Sequence, residues 1–489
     1  MKTNFLFHMP SGKEAAQKVT EEELNLAINK AVKLIVESDA ILIGGGSGLS
    51  SSCGYNYYHQ NEFFNQHFKK YQERYGFENL YAGLAYPYST QEEQWDFLSY
   101  YVDIMQKEPV GKAYEVLKNL ISNKDYFILT TNIDTQFHKI FPGEKLFTFQ
   151  GDVQYLQCSQ PCHDDIYRNI DLVNQMRIQA SNYKIPYESI PRCPHCGRQM
   201  SLWVRDDAFL EGKQWKQEMN CYQEFLNRNL DKKIVLLELG VGDMTPSIIK
   251  FPFWEMAQKW ENANLISVNF GKTSAPKHIE DKTVVVCSDI QEALIKMEQE
   301  KVLNSISNSY TQWYEFMNQN VDFWLKDSEI HTKSHCGRVM LYALMIGAKK
   351  HLTEEELEVL AQAAAFHDSR RQDDWLDVGH GGRAAVYYKD YCQKNSTIRF
   401  DERTKQIMAY HDQDDKLSIL KLKKIEKENP GVVLLYQIFK DADALDRFRL
   451  GENGLDVRYL RTDEARELYQ FAKMVWEDYG KRGVNYEFL

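Results

Sequence analysis

No run of about 18 consecutive apolar residues occurs anywhere in the 489-residue sequence, so a membrane-spanning helix is not expected. Met1–Lys13 contain Phe5, Leu6 and Phe7 but no apolar stretch of signal-peptide length, and the expectation is a cytoplasmic protein. Excess positive charge is also missing. Lys and Arg number 59 against 70 Asp and Glu, a net charge of −11 that argues against nucleic-acid binding by bulk electrostatics. Local basic pockets remain open, and small-molecule or protein substrates are favoured. Cysteine is scarce: nine in the chain, an odd number, four clustered in pairs and five scattered, so spacing carries the information rather than a disulfide framework. With 43% hydrophobic and 26% charged residues the chain has no signature of disorder, and its length predicts two or three domains.

The first part of the chain alternates strand and helix signals. Glu21–Val36 carries apolar residues at Leu24, Ala27, Ile28, Ala31, Val32 and Ile35, the period of an amphipathic helix. The apolar run Ala40–Ile43 enters Gly44-Gly45-Gly46-Ser47-Gly48-Leu49-Ser50, a strand and a glycine loop whose backbone N–H groups suit a pyrophosphate. Taken alone, such a turn is as readily structural. Residues 54–115 are rich in Tyr and Phe at mostly helical spacing, which predicts a helical insertion with an aromatic core. A helix over Lys112–Ile121 and a strand over Tyr126–Leu129 follow, and that strand runs into Thr130-Thr131-Asn132-Ile133-Asp134. Further buried strands, one within 234–246 that ends in glycines and others at 264–269 and 284–286, complete a parallel α/β pattern. Strand ends are where ligands sit in such sheets, which makes Gly240, Gly242, Asn269 and Asp289 pocket candidates.

Cys158-x3-Cys162 and Cys193-Pro-His-Cys196 are two thiol pairs of the knuckle type. Four thiolates from two such turns suit a structural zinc, with His163 or His195 replacing a thiol, or redox chemistry, as the alternatives. After the polar stretch Asn304–Ser309 the pattern becomes helical throughout, and six of the 13 histidines fall between residues 331 and 411. His331 and His335 share a helical spacing. Then come His367-Asp368, Gly379-His380, His411-Asp412 and the run Asp441-Ala-Asp443-Ala-Leu-Asp446. His351 reads as an ordinary surface histidine. Lys349-Lys350 and Arg370-Arg371 are solvated charge by default, with phosphate steering as the alternative.

The blocks GGGSGLSSSCG, TTNIDTQF, QGDVQYLQCSQPCH, IPRCPHCG, RDDAF and LELGVGDMTPSIIKFPFW, with the strand ending at Asn269, resemble the sirtuin family, and more closely its macrodomain-linked (class M) members. The resemblance implies a Rossmann-like α/β domain over residues 1–303, with a zinc module at about 150–215 and a helical insertion. It implies NAD as cofactor, with phosphates near Gly44, Gly46 and Ser47, ribose and nicotinamide near Thr131, Asn132 and Asp134, and adenosine near Gly240, Gly242 and Asn269. In deacylating sirtuins a histidine acts as general base where this chain has Gln150, and an amide cannot take a proton. The resemblance therefore implies ADP-ribose transfer to a protein, lipoyl-carrying proteins among the acceptors, with Asn132, Asp134, Gln150 and Arg205 as catalytic residues. Arg205 can equally be a salt-bridge partner of Asp206-Asp207. NAD hydrolysis, deacylation and silent NAD sensing are the rival readings.

The histidine-rich part resembles an HD-family metal-dependent phosphohydrolase, an all-α domain expected over 313–489 after a linker at 304–312. The resemblance implies one divalent ion (Mn²⁺, Mg²⁺ or Fe²⁺) on His335, His367, Asp368 and Asp441, with Asp443 as the alternative to Asp441. His380 and His411 would hold a second ion. A nucleotide, an ADP-ribosyl compound or another phosphorylated small molecule would be its substrate.

Overall fold

A computed structural model describes residues 19–271, 275–328, 330–451 and 453–480. Met1–Lys13 lie outside the described residues. The chain divides into two compact units, residues 1–301 and 302–489. Residues 304–312, expected to be a linker, are instead part of the single helix Ile290–Asn320, in which the division falls. Among the described residues no helix is long and apolar enough to cross a membrane.

The first unit is built on six parallel strands: β1 (Ala40–Gly45), β2 (Asp125–Thr130), β3 (Leu146–Thr148), β7 (Ile234–Leu239), β8 (Ala263–Asn269) and β9 (Thr283–Cys287), in the order β3-β2-β1-β7-β8-β9. Every residue of β1 and β7 is buried, which explains why these strands read as continuous apolar runs rather than alternating ones. The strand order reverses direction from β1, so the loops after β1, β2 and β7 open into one crevice. Helix Glu21–Glu37 covers one face. Thr20 and Glu23 form a capping box at its start, and Ile28, Ala31, Val32 and Ile35 are its buried stripe.

A second, antiparallel sheet is inserted between β3 and β7. It consists of β4 (Gly151–Cys158), β5 (Tyr167–Arg168) and β6 (Met200–Val204), in the order β5-β4-β6. Residues 54–115 form the expected helical, aromatic insertion. Phe64, Phe68, Tyr71, Trp95, Phe97 and Tyr101 share one buried cluster with Val153, Leu156, Cys158 and Met200 of the small sheet. The thiol-bearing sheet is therefore fixed to the aromatic helices by common packing.

In the second unit the described residues are helical or in turns, with no strand among them. Helix Lys333–Lys349 is its axis: all thirteen residues His335–Gly347 are buried. Helices Glu354–Phe366 and Val432–Leu445 pack directly on it, Glu402–Tyr410 packs on those two, and His380–Lys394 packs on Glu402–Tyr410. A helix apolar on all sides has to be central, and this placement brings its first turn to the ends of the surrounding helices.

Candidate functional site

In the first unit the end of β1, the turn after β2 and the turn after β7 meet. Gly46 precedes the short helix Ser47–Ser52, and a Cβ on Gly46 would stand 2.5 Å from the Gly240 carbonyl oxygen. Gly240 has φ +61°, and a Cβ there would stand 2.5 Å from the Leu49 nitrogen. The two glycine turns thus interlock. The Gly46 N–H donates to the Leu239 carbonyl and the Gly48 N–H to the Gly240 carbonyl. These two N–H groups are spent within the protein. Gly44 faces away from the turn, its missing Cβ making room for Ile249 and Phe253. Gly242 has nothing within 4 Å of a Cβ, and Asn269 donates through Nδ2 to the Val241 carbonyl. The Thr131 N–H is used on the Gly45 carbonyl. Asp289 accepts from the Glu292 N–H and so caps the helix Ile290–Asn320.

Asn132 and Asp134 are buried in the middle of this meeting point. Asn132 Nδ2 donates to the Gly46 carbonyl and the Ser50 hydroxyl at 3.0 Å each, and lies 3.4 Å from the Tyr114 hydroxyl. Its Oδ1 makes no hydrogen bond among the described residues. The Ser50 hydroxyl donates to Asp134 at 2.5 Å, and burial pushes the Asp134 carboxyl up from its ordinary range. Gln150 is half-buried at the turn into β4, and its carbonyl accepts from the Arg205 N–H at 2.9 Å. Its carboxamide makes no hydrogen bond among the described residues. Arg205 pairs with Glu211 at 2.9 Å, not with Asp206-Asp207; it also donates to the Phe149 carbonyl and stacks on Phe209 with 4.3 Å between guanidinium carbon and ring. Its side chain is thereby held over the residue preceding Gln150.

The four thiols converge: Cys158 Sγ lies 3.7 Å from Cys196 Sγ, Cys162 Sγ lies 3.7 Å from Cys193 Sγ, and all four lie within 4.8 Å. Zinc–sulfur bonds of about 2.3 Å in a tetrahedron place sulfurs about 3.8 Å apart, so the cluster fits that ion. Burial raises the Cys193 thiol, but the N–H groups of Cys196 and His195 more than offset this and bring it down to about 7. His163 stands outside the quartet, Nδ1 3.2 Å from Cys162 Sγ and Nε2 on the Tyr167 hydroxyl.

The second unit gathers a denser group. His335 opens the axial helix, His367 caps Glu354–Phe366, His380 starts its own helix, His411 caps Glu402–Tyr410 and Asp443 lies in Val432–Leu445. His335 Nε2 is 3.4 Å from His367 Nε2, 3.5 Å from Asp368 Oδ2 and 3.5 Å from Asp443 Oδ1. On the other side of the same carboxylate, Asp368 Oδ1 is 3.1 Å from His380 Nε2, which is 2.9 Å from His411 Nε2. Donors about 2.1–2.2 Å from one ion stand about 3.0–3.6 Å apart, so both groups have the spacing of ligand sets, bridged by Asp368.

The ring tautomers agree. Nδ1 of His367, His380 and His411 bonds the carbonyl three residues earlier, of Ala364, Asp377 and Met408, and Nδ1 of His335 bonds the Asp446 carboxylate at 2.7 Å. A carbonyl can only accept, so each Nδ1 carries the hydrogen, and a ring that is neutral presents the lone pair of its Nε2 to the centre. Two pairs of bare lone pairs at these distances call for a cation between them. His367 and His411 also sit where helix carbonyls end, the negative pole of the helix dipole. Burial pushes His367 down to about 3, keeping it neutral. Burial alone would raise Asp368, yet the surrounding imidazoles, His367 first and then His331, His380 and His411, hold it well below the usual range.

Asp441 is not part of this group. Its buried carboxylate accepts from the Arg461 and Thr462 N–H groups, the Arg461 guanidinium and the Thr462 hydroxyl, so Asp443 takes the place expected for it. Two residues apart on a helix is about 200°, and the two carboxylates face opposite sides. His331 lies before the helix, whose N-cap is Thr332, rather than on it, but its Nδ1 reaches Asp368 Oδ2 at 2.9 Å. Asp446 was also missed as a support; with Arg338 it anchors His335. The spacing Phe439, Asp443, Asp446 on one helix face was the available signal, since Phe439 stacks against His367. Of the two arginines after the doublet, Arg370 stacks on Tyr387, whereas the buried Arg371 stands 3.2 Å from His380 Nε2. His351 has φ +56° at a helix end and takes no part.

Fold and site together define a parallel α/β protein with a tetrathiolate module, continued by a helical unit with a histidine–aspartate cluster. No protein-family model matches the chain. It is 34% identical over 286 residues to a protein ADP-ribosyltransferase of Staphylococcus aureus, covering 58% of this chain and 90% of that one. The chain belongs to the family of that protein. A probable bifunctional ADP-ribose hydrolase/ADP-ribosyltransferase of Fusarium oxysporum is 27% identical over 273 residues, 53% of this chain and 45% of that one. Similar solved structures include "The Structural basis of Sirtuin Substrate Affinity" (16% identical, TM-score 0.37, 55% of this chain and 96% of that one) and "Sir2-p53 peptide-NAD+" (16% identical, TM-score 0.33, 57% and 98%).

Proposed function

We propose that the first unit is a sirtuin-type, class M protein ADP-ribosyltransferase using NAD, and that the second is an HD-type, divalent-metal-dependent phosphohydrolase. One feature carries the first reading: Gln150, half-buried at the turn into β4, has an amide at the position where, by the resemblance to sirtuins, a deacylase has its base. The named activity of the Staphylococcus aureus relative supports it. Asn132, its Nδ2 fully engaged, offers Oδ1 to a ribose hydroxyl; Asp134 holds Ser50 in place; Gln150 orients the acceptor; Arg205, fixed over Phe149, contributes positive charge at the same edge. Zinc on Cys158, Cys162, Cys193 and Cys196 holds the small sheet that carries β4 and so aims Gln150. The acceptor is a protein, with a lipoyl-bearing carrier as a candidate.

In the second unit His335, His367, Asp368 and Asp443 would hold one ion, and Asp368, His380 and His411 a second. Such ions supply an activated water and neutralise phosphoryl charge. Around them this chain fixes each imidazole by its Nδ1, excludes water by burial, and places the Arg371 cation beside His380. The substrate is a nucleotide or an ADP-ribosyl compound. Fusion keeps a product of the first unit at high local concentration for the second, and the two activities in the name of the Fusarium relative are in keeping with such a pairing.

The test is to incubate the chain with adenylate-labelled NAD, a lysate and an acetylated peptide. Label on protein is expected. Free ADP-ribose alone would establish NAD hydrolysis, and O-acetyl-ADP-ribose would refute the argument from Gln150. For the second unit, Mn²⁺-dependent phosphate or AMP release from a nucleotide and ADP-ribose panel is expected, and none across Mn²⁺, Mg²⁺ and Fe²⁺ would refute it.

A further inference from the structure

Ser50 and Tyr114 are completely buried, one on the short helix after β1 and the other on the helix Lys112–Leu120. Their hydroxyl oxygens stand 3.1 Å apart, and Ser50 Oγ also lies 3.0 Å from Asn132 Nδ2 and 2.5 Å from Asp134 Oδ2. Donor counting fixes the direction of each bond. An amide N–H can only donate, so Asn132 takes one lone pair of Ser50. Besides Ser50, the Tyr114 hydroxyl has only that same amide nitrogen within reach among the described residues, so its hydrogen goes to the second lone pair. Ser50 is left with one hydrogen and one acceptor, Asp134 Oδ2. The other oxygen, Oδ1, accepts from the Gln136 N–H at 3.2 Å. Both oxygens of this buried acid therefore accept, which is the pattern of a carboxylate anion.

The other titratable groups that face Asp134 leave this arrangement in place. Burial keeps the Cys53 thiol and the Tyr55, Tyr57, Tyr101 and Tyr114 hydroxyls protonated and uncharged. Lys139 is the cation among them, its Nζ spent on the Met105 and Glu108 carbonyls, and Asp152 accepts from the Thr135 and Gln154 N–H groups without touching Ser50 or Tyr114. We propose that Tyr114 and Ser50 are positioning residues of the NAD site, a two-hydroxyl relay that keeps Asp134 an anion while NAD is cleaved. The proposal rests on the NAD reading above. The nicotinamide ring of NAD is cationic; when its bond to ribose C1′ breaks, the electron pair goes to the ring nitrogen and the positive charge passes to the ribose. A fixed buried anion stabilises that charge, and a neutral acid does not. Tyr114 acts through Ser50.

The experiment follows nicotinamide release from NAD against pH for the full chain and for Ser50→Ala, Tyr114→Phe and the double variant. A hydrogen bond to a charged acceptor corresponds to about one to two pH units, so the acid limb of kcat is expected to lie that much higher in Ser50→Ala. Tyr114→Phe should move the limb the same way by less. The double variant should match Ser50→Ala, since Tyr114 has no route to Asp134 without Ser50. In the absence of NAD, Ser50→Ala at the pH of its new limb should show a protonated-carboxyl band in the infrared that Ser50→Ala/Asp134→Asn lacks. An unmoved limb with kcat lower at every pH, a double variant that moves by both increments together, or no such band would overturn the proposal in favour of a packing role. No nicotinamide release by the wild-type chain at any pH would bring down the NAD reading itself, while the infrared bands would still report the charge on Asp134.

Discussion

Asp441 and Asp443 lie two residues apart in one helix and predict opposite phenotypes. Asp441 is completely buried and accepts four hydrogen bonds, from the Arg461 N–H at 2.9 Å, the Arg461 guanidinium at 3.0 Å and the Thr462 N–H and hydroxyl at 2.8 Å each. Removing one member of such a buried charged network costs about 3–5 kcal/mol, because the remaining donors are left without acceptors. For a unit of this size each kcal/mol shifts the melting temperature by about 2–4 °C, so Asp441→Ala should melt about 6–20 °C lower in its second-unit transition. Asp443 is 28% exposed at its side chain and faces His335 at 3.5 Å; Asp443→Ala should leave that transition nearly in place. It should weaken Mn²⁺ binding by more than about 100-fold, since even groups that only support a ligand contribute 10–100-fold. Calorimetry in zinc-replete, Mn²⁺-free buffer and Mn²⁺ titration followed by electron paramagnetic resonance separate the two. An Asp441→Ala protein that loses Mn²⁺ without losing stability, or an Asp443→Ala protein that melts far lower yet keeps Mn²⁺, would refute the assignment.

Gln150→Ala should reduce label transfer from NAD to protein by about 10²-fold, the scale of losing one positioned amide donor, with an unchanged thermal transition. Cys196→Ser should lower zinc content from one equivalent to none by elemental analysis and loosen the small sheet, seen as faster proteolysis within 150–215. Burial holds His138 neutral, its pKa down at about 4 against about 6.5 in the unfolded chain. The unfolded state therefore binds the extra proton between these values, and the first unit should lose about 3 kcal/mol as pH falls from 6.5 to 4. His138→Phe should flatten that slope in denaturant titrations, and an unchanged slope would refute the account.

The parallel sheet was legible because β1 and β7 are buried on both faces and so carry no polar residue to interrupt the run except Glu238. The thiol pairs and the helical insertion were legible from spacing, and the histidines of the second unit from their density. Asp441 was misread because a short motif gives order along the chain but not angle around a helix; only the position of Phe439 and Asp446 relative to Asp443 fixes the face. The partner of Arg205 was missed for a similar reason: Glu211 reaches it through the turn after β6, which adjacency to Asp206-Asp207 could not show. The interlocking of Gly46 with Gly240 joins turns nearly 200 residues apart and leaves no local trace, so the sequence left the glycine loop open between a phosphate cradle and a structural turn without showing what it packs against.

Three of the histidines around Asp368 are aimed by the peptide group three residues before them, at Ala364, Asp377 and Met408. A carbonyl is supplied by any amino acid, so the side chains at those positions can drift without turning a ring. The aim of His335, by contrast, depends on one side chain, Asp446, itself gripped by Arg338. Mutational tolerance should therefore be uneven around a cluster that looks symmetric: broad at positions 364, 377 and 408 as far as ring direction is concerned, and narrow at 338 and 446, where a single change frees the ring that opens the axial helix.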